Sequence, residues 1–306
     1  MQIARTPDSR FAALPGYPFE PHYAEIQEPA APGGTLRVHY LDEGPRAAAP
    51  VLLLHGEPTW SYLYRKMIPV LTAAGHRAIA PDLVGFGRSD KPTERGDYTV
   101  ARHVGWMRAL LEQLDLRDVT LFAQDWGGII GMRLVAENGD RFARVMISNT
   151  GCPHPEEPTE VPQQLLDWQE FSSTDPEFSF AKLVGGQTLG VTEAEAAAYD
   201  APFPDESYKA GARQFPQLIP FQPDDPAGPA QREAWAALCR WEKPFLTAFS
   251  DGDPFTAGGD RMFQENVPGA ADQRHTIIRG AGHFLQETQG EEVARVLADF
   301  IARTSA

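Results

Sequence analysis

Asp125 has the residue type and the local sequence of a catalytic nucleophile. It follows an apolar run at residues 119–123 and precedes Trp126. A nucleophile elbow is a sharp strand-to-helix turn with small residues two positions before and after the nucleophile, and Ala123 and Gly127 hold those positions. A carboxylate there can displace a leaving group from saturated carbon and form an ester with the enzyme. An Asp after a strand can instead cap a helix, but its small neighbours favour the nucleophile.

An ester on Asp125 needs a base that activates water to cleave it, and His283 is the candidate. It lies in a glycine-rich loop after the last predicted strand, where an imidazole can be presented on a tight turn. The base needs a carboxylate on its other ring nitrogen, and Asp253 follows the preceding predicted strand. Asp251 is the alternative. The chain order nucleophile, acid, histidine is that of the α/β-hydrolases.

The loop HGEPTW at residues 55–60 follows another apolar run and is expected to form an oxyanion site. Such a site uses an early loop and the residue after the nucleophile, so the N–H groups of Glu57 and Trp126 are the expected donors. The Glu57 side chain has two open interpretations. It positions the hydrolytic water, or it only accepts backbone bonds of its own loop.

Apolar runs alternate with helical patterns along most of the chain. Continuous apolar runs are typical of strands buried on both faces of a parallel sheet, and helical patterns with one apolar face occupy residues 100–114 and 293–301. The alternation predicts the α/β class with a mostly parallel central sheet flanked by helices. Strands are predicted at residues 36–41, 51–54, 78–80, 119–123, 145–148, 245–249 and 275–278.

The alternation stops between residues 153 and 233, where no buried-strand pattern occurs. The sequence TEAE at residues 192–195 is a capping box, which predicts a helix, and a second helix is predicted near Glu206. We therefore expect a helical cap at residues 153–233, inserted between two parts of the main domain at residues 1–152 and 234–306.

Composition limits the kinds of partner. The 306 residues carry a net charge of −15, which argues against nucleic acid as a ligand because phosphate binding needs clustered Lys and Arg. Two cysteines, Cys152 and Cys239, do not suggest a disulfide framework. The N-terminus lacks the apolar core of a signal peptide, and no run reaches the roughly 18 apolar residues of a membrane span. These features predict a cytoplasmic protein with no membrane partner.

Three segments resemble the haloalkane dehalogenases of the α/β-hydrolase superfamily. They are HGEPTWSYLYR at residues 55–65, PDLVGFGRSD at residues 81–90 and QDWGG at residues 124–128. The resemblance implies that the carboxylate attacks the carbon bearing the halogen, and that His and water hydrolyse the resulting ester. It implies a small halogenated substrate, with water, halide ion, alcohol and a proton as the other species. No metal and no organic cofactor is implied.

The resemblance also implies a halide site made of two side-chain N–H groups. The one that follows the nucleophile maps to Trp126. One branch of the family has Asn directly after the His-Gly pair, where this chain has Glu57, which cannot donate when ionised. The other branch uses a cap tryptophan, for which Trp168 is the best match, and takes its acid after the later strand, as Asp253 does. Leu165, Phe171 and Phe180 are expected apolar walls of the substrate pocket.

Two other functions remain open on the sequence. An epoxide hydrolase has the same kind of Asp nucleophile and takes acids from cap tyrosines, for which Tyr199 and Tyr208 are present. A non-catalytic binding protein with this fold would be expected to lack one member of the Asp, His and Asp set. The sequence does not predict the preferred halogen, the substrate length or the oligomeric state.

Overall fold

The computed structural model describes residues 1–28, 34–158 and 160–305. Each predicted strand is present, and further strands lie near the N-terminus and after the fifth strand. The strands are β1 (Ile3–Ala4), β2 (His22–Gln27), β3 (Thr35–Glu43), β4 (Pro50–Leu54), β5 (Arg77–Pro81), β6 (Lys91–Pro92), β7 (Val119–Gln124), β8 (Phe142–Ser148), β9 (Phe245–Ser250) and β10 (Thr276–Ile278).

Eight of the strands in the described residues form one sheet, in the order β2-β3-β5-β4-β7-β8-β9-β10. The pairs β2–β3 and β3–β5 are antiparallel, and the remaining neighbours are parallel. The central strands β4 and β7 are buried along their whole length, which explains their mostly apolar sequences. The edge strand β2 alternates, with Ala24 and Ile26 buried and Glu25 and Gln27 exposed.

Helices cover the sheet and fill the segment between β8 and β9. The helix α2 begins after Thr99, whose side chain accepts from the Arg102 N–H, and it buries one apolar face. The helices are α1 (Ile68–Ala73), α2 (Val100–Gln113), α3 (Trp126–Glu137), α4 (Gln163–Thr174), α5 (Phe180–Gln187), α6 (Glu193–Asp200), α7 (Ala210–Gln214), α8 (Gly228–Leu238), α9 (Asp260–Asn266) and α10 (Leu285–Thr304). The α/β-hydrolase architecture expected from the sequence is confirmed.

Helices α4 to α7 form the inserted cap. The capping box at Thr192 and Glu195 is present at the start of α6, as the sequence predicts. Near residue 206 the structure has a single 3-10 turn, followed by the short α7. The helix α8 crosses the expected boundary at residue 233, because it packs against α3 of the main domain.

A buried polar cluster joins the cap to the main domain. The Arg65 guanidinium donates to both carboxylate oxygens of Glu287, at the start of α10, and to Glu195 of α6 at 2.9 Å. The hydroxyl of Tyr199, also on α6, donates to Glu287. The Trp60 indole adds a bond to the Ala198 carbonyl at 3.1 Å. These bonds fix α6 to the main domain at Glu287, which lies about one helical turn after His283 in the sequence.

In the described part of the chain no helix is long and apolar enough to cross a membrane.

Candidate active site

Asp125 lies at the turn between β7 and α3, with φ 54° and ψ −130°. This is a positive φ for a residue with a side chain, and such strain persists only where the surroundings hold it. The Asp125 N–H donates to the Asn149 carbonyl at 3.0 Å, and the Thr150 hydroxyl donates to the Asp125 carbonyl at 2.7 Å. A Cβ on Gly127 would lie 2.0 Å from the Leu54 carbonyl oxygen, so the turn has no room for a side chain there. These features form a nucleophile elbow.

The oxyanion loop contacts the carboxylate through Glu57. The Glu57 N–H donates to Asp125 Oδ1 at 2.8 Å. A Cβ on Gly56 would lie 2.1 Å from the same oxygen, so glycine is required for this approach. Between these described residues, the Trp126 N–H makes no hydrogen bond to the Asp125 carboxylate. One of the two expected donors therefore contacts Asp125 in this state.

The Glu57 side chain is buried beside Asp125. Its burial, together with the negative charge of Asp125, raises the pKa of the Glu57 carboxyl well above its usual range. Its Oε1 is buried and has no hydrogen-bond partner among the described residues. Burial and the charge of Asp125 therefore favour the protonated, neutral form of Glu57, which limits the negative charge around Asp125.

His283 lies between two carboxylates. Its Nε2 is 3.4 Å from Asp125 Oδ2, and its Nδ1 is 3.1 Å from each carboxylate oxygen of Asp253. Asp253 also accepts from the Phe255 N–H at 3.0 Å and from the Thr256 hydroxyl. Asp251 is exposed and accepts from the Gly280 N–H at 2.8 Å. The structure thus places Asp253, and not Asp251, against the histidine.

The two carboxylates dominate the electrostatics of His283. Burial by itself lowers the pKa of the imidazole, but the bonds to Asp125 and Asp253 outweigh it and raise the pKa of His283 to about 10. Burial likewise opposes ionisation of Asp253, and the bond to His283 reverses that effect and lowers the Asp253 pKa. With Asp125 ionised, the two carboxylates therefore favour the protonated form of His283.

Two residues outside the expected set hold the histidine loop. The Asn149 side chain donates to the carbonyls of Gly282 and His283, both at 3.0 Å. The Gln124 amide nitrogen lies 3.1 Å from His283 Nε2 and 3.2 Å from the His283 carbonyl. Gln124 ends β7 and Asn149 directly follows β8, at the carboxyl edge of the sheet where Asp125 lies. This position beside the elbow was the sequence signal that could have identified them.

A cavity of about 1050 Å³ opens above Asp125, between the main domain and the cap. Leu165 and Trp168 of α4 line it. Other lining residues are Glu57, Asp125, Trp126, Ile129, Leu183, Phe255, Met262, His283 and Phe284. Apolar side chains dominate the walls around the carboxylate, which is the character expected of a small-molecule site.

The structure does not bring Phe171 and Phe180 into this cavity. The Phe180 ring is fully buried because it packs within the cap, 4.3 Å from the Phe203 ring and 4.9 Å from the Phe178 ring. The Phe171 ring is partly exposed and stacks on Trp168 at 5.9 Å. Phe171 therefore supports a wall residue and does not line the cavity.

The two tryptophans of the expected halide site both line the cavity. Neither indole N–H has a hydrogen-bond partner within the described residues, so both donors are available to a ligand.

The two cap tyrosines lie outside the cavity. Tyr199 is buried and bonded to Glu287, and neither it nor Tyr208 lines the cavity. Across residues 1–28, 34–158 and 160–305, no cluster of His, Cys, Asp and Glu has an arrangement that could hold a metal ion.

Comparison with known proteins agrees with this geometry. A family model described as alpha/beta hydrolase fold matches residues 49–289. A haloalkane dehalogenase from Psychrobacter cryohalolentis is 59% identical over 302 residues, which cover 98% of each chain. A haloalkane dehalogenase from Mycobacterium marinum is 52% identical over 96% of this chain and 98% of its own.

A solved structure extends the similarity to three dimensions. The tetrameric haloalkane dehalogenase from Paraglaciecola agarilytica has a TM-score of 0.88 and 38% identity, covering 96% of this chain and 97% of its own. With Asp125 at the elbow, a His–Asp pair and two unpaired indoles around one cavity, and with relatives this similar over nearly the whole chain, the protein belongs to the haloalkane dehalogenase family of the α/β-hydrolase superfamily.

Proposed function

We propose that this protein hydrolyses haloalkanes to an alcohol, a halide ion and a proton. One observation carries the proposal. The Asp125 carboxylate is fixed by the Glu57 N–H, faces the His283–Asp253 pair, and stands at the floor of a mainly apolar cavity that two free indole N–H groups also line. A carboxylate in that setting suits displacement at saturated carbon.

In the first step Asp125 attacks the carbon that bears the halogen. An oxygen–carbon bond forms and the carbon–halogen bond breaks, so the halide leaves with the bonding electrons and needs no proton. Asp is ionised near neutral pH, so this step needs no base. Trp126 and Trp168 donate to the departing halide. Because an indole N–H donates without a formal positive charge, the halide is stabilised and can still leave.

The second step follows from the loss of charge on Asp125. Esterification removes the negative charge that helps to raise the His283 pKa, so the pKa falls and Nε2 becomes able to accept a proton. Water then attacks the ester carbonyl while His283 takes its proton. Asp253 stabilises the imidazolium that forms. The Glu57 N–H, already directed at Oδ1, stabilises the oxyanion. Collapse breaks the ester bond, and the departing alkoxide takes the proton from the His283 imidazolium and leaves as the alcohol. The carboxylic acid left on Asp125 then ionises, which restores the carboxylate and releases the net proton.

The cap tyrosines argue against epoxide hydrolysis. An epoxide leaves as an alkoxide, which needs a nearby acid. The Tyr199 hydroxyl is instead occupied by Glu287, outside the cavity. The complete set of Asp125, His283 and Asp253 likewise gives no support to a non-catalytic binding role.

The test is product analysis with a trapped intermediate. Incubation with 1-bromobutane should release bromide and butanol, and a simple epoxide should give no diol. His283→Phe should release about one bromide per protein molecule and carry a butyl ester on Asp125, detected by peptide mass. His22→Phe, on the edge strand β2, is the matched control and should turn over normally. Diol without bromide, or an unmodified Asp125 in His283→Phe after exposure to substrate, would refute the proposal.

We also propose that the protein works in a reducing compartment, the cytoplasm. Both Cys152 and Cys239 are free thiols, which suits such a compartment. Fractionation of the source cells with an antibody to the native protein tests this, and recovery outside the cytoplasm would contradict it.

A further inference from the structure

Gln124 contacts the catalytic histidine from the last position of β7. Its side chain is fully buried. The amide nitrogen lies 3.1 Å from His283 Nε2 and 3.2 Å from the His283 carbonyl oxygen. It therefore touches the one ring atom that must accept a proton during ester hydrolysis.

The chemistry of the contact fixes which group donates. A carbonyl oxygen only accepts hydrogen bonds, so the Gln124 atom that faces it is the NH₂ group and not the amide oxygen. The same NH₂ group faces His283 Nε2, and an amide nitrogen offers no acceptor. The Gln124 contact therefore favours an unprotonated Nε2, with the ring proton on Nδ1, where Asp253 accepts it, whereas Asp125 Oδ2, 3.4 Å from Nε2, favours the protonated form.

We propose that Gln124 is a positioning residue that holds His283 as the Nδ1–H tautomer and reduces the affinity of Nε2 for a proton. This rests on the proposed function and extends it. A hydrogen bond to the neutral form of a base disfavours the charged form, because a protonated Nε2 would place N–H against N–H. Gln124 thus opposes Asp125 and Asp253, which both favour the imidazolium. Without that opposition the base would stay protonated at higher pH and could not accept the proton of water.

A purely structural role explains the contact poorly. The His283 carbonyl also accepts from Asn149 at 3.0 Å, so it keeps a partner when Gln124 is changed. The Gln124 Oε1 is buried with no partner within the described residues, so an apolar replacement removes an unsatisfied acceptor. Gln124→Met, of similar length, should therefore fold.

The test separates the two chemical steps as a function of pH. In single turnover with 1-bromobutane, bromide release reports the first step and loss of the butyl ester, followed by mass spectrometry, reports the second. In Gln124→Met the acid limb of ester hydrolysis should move upward by about half to one pH unit, the effect of one hydrogen bond on a pKa. Bromide release should stay within about twofold. Gln231→Met, at another fully buried glutamine outside the cavity, should leave both profiles unchanged.

A second variant and a second measurement keep the inference independent of turnover. Gln124→Glu replaces the donor by an acceptor and should raise the acid limb further. ¹⁵N NMR of the imidazole in the resting protein should show the same upward order of His283 pKa values, from wild type to Gln124→Met to Gln124→Glu. The NMR measurement does not depend on turnover. If the protein hydrolyses no haloalkane, only the proposed function is refuted. A slower hydrolysis with an unmoved limb, unchanged imidazole pKa values, or a downward shift would overturn the role of Gln124.

Discussion

His283 Nδ1 lies 3.1 Å from both carboxylate oxygens of Asp253, so a single ring nitrogen faces the whole carboxylate. The acid is itself held by the Phe255 N–H and the Thr256 hydroxyl, and it is almost fully buried. An acid fixed in this way sets both the tautomer and the orientation of the imidazole. Asp251, which precedes it by two residues, makes no such contact and bonds to the Gly280 N–H.

Asp253→Asn should slow ester hydrolysis by about 10²- to 10⁴-fold, by analogy with the loss of an acid that orients a catalytic histidine. Bromide release in the first turnover should change little, because Asp125 needs no base for the attack. The alkylated enzyme should therefore accumulate and be visible by mass. Asp251→Asn is the matched control and should turn over at the wild-type rate. Equal defects in the two variants would argue that the acid is misassigned.

Trp168→Phe should slow bromide release by about ten- to a hundredfold, since it removes one hydrogen bond to a developing anion while it keeps an aromatic wall. Stopped-flow measurement of the first turnover gives this rate directly. Trp241→Phe removes a buried indole N–H that has no partner in the described residues and lies outside the cavity. It should leave the rate unchanged. A Trp168→Phe enzyme with normal bromide release would remove Trp168 from the halide site.

The rim of the cavity should select against anionic substrates. Glu156 and Glu160 line it and are exposed, and within the described lining there is no Lys or Arg to balance them. The kcat/KM for 4-bromobutanoate should be about tenfold below that for 1-bromobutane at low salt, and the gap should narrow as salt rises because exposed charges are screened. Replacing both glutamates by Gln should narrow the gap in the same way. If the ratio of the two kcat/KM values changes neither with salt nor with these substitutions, another feature of the site selects against the anion.

The contribution of the His283–Asp253 pair to the free energy of unfolding should depend on pH in a defined direction. The pKa of His283 is raised from 6.5 to about 10 in the folded protein. The stabilisation from the protonated imidazole is therefore complete below about pH 6.5 and is lost as pH rises through about 10. The Asp253 pKa is lowered, so the contribution of its carboxylate to the free energy of unfolding is complete above the ordinary Asp pKa of 3.8 and is lost as pH falls.

The difference in free energy of unfolding between wild type and His283→Gln should therefore be larger at pH 6 than at pH 9.5. Urea titrations at both pH values measure it. Gln231→Met removes no titratable group and should change the free energy of unfolding equally at both. A difference for His283→Gln that grows with pH would contradict the raised pKa.

Much of this protein follows from local sequence. Nearly continuous apolar runs identified the parallel strands, because strands buried on both faces carry mostly apolar residues. The elbow at Asp125 could be predicted from the sequence because the turn requires small residues two positions before and after it, and Ala123 and Gly127 hold those positions. The Thr192 capping box was equally local, and α6 begins there. Three strands were missed. β1 and β6 have only two residues each and pair only with each other. β2 lies at the edge of the sheet and alternates between buried and exposed residues, so it has no continuous apolar run.

Other features depend on where distant segments meet. The choice between Asp253 and Asp251 rests on the conformation of the loop after β9. The contact of Gln124 with His283 joins residues 159 positions apart. Phe180 was expected in the pocket, but its side chain packs within the cap, and Tyr199 is bonded to Glu287, 88 positions further along the chain. Sequence alone determined which residues could react and which strands carry them, because both depend on residue type and local period. Only the tertiary structure decided which side chains share the cavity, since side-chain direction is set by packing against segments far away in the chain.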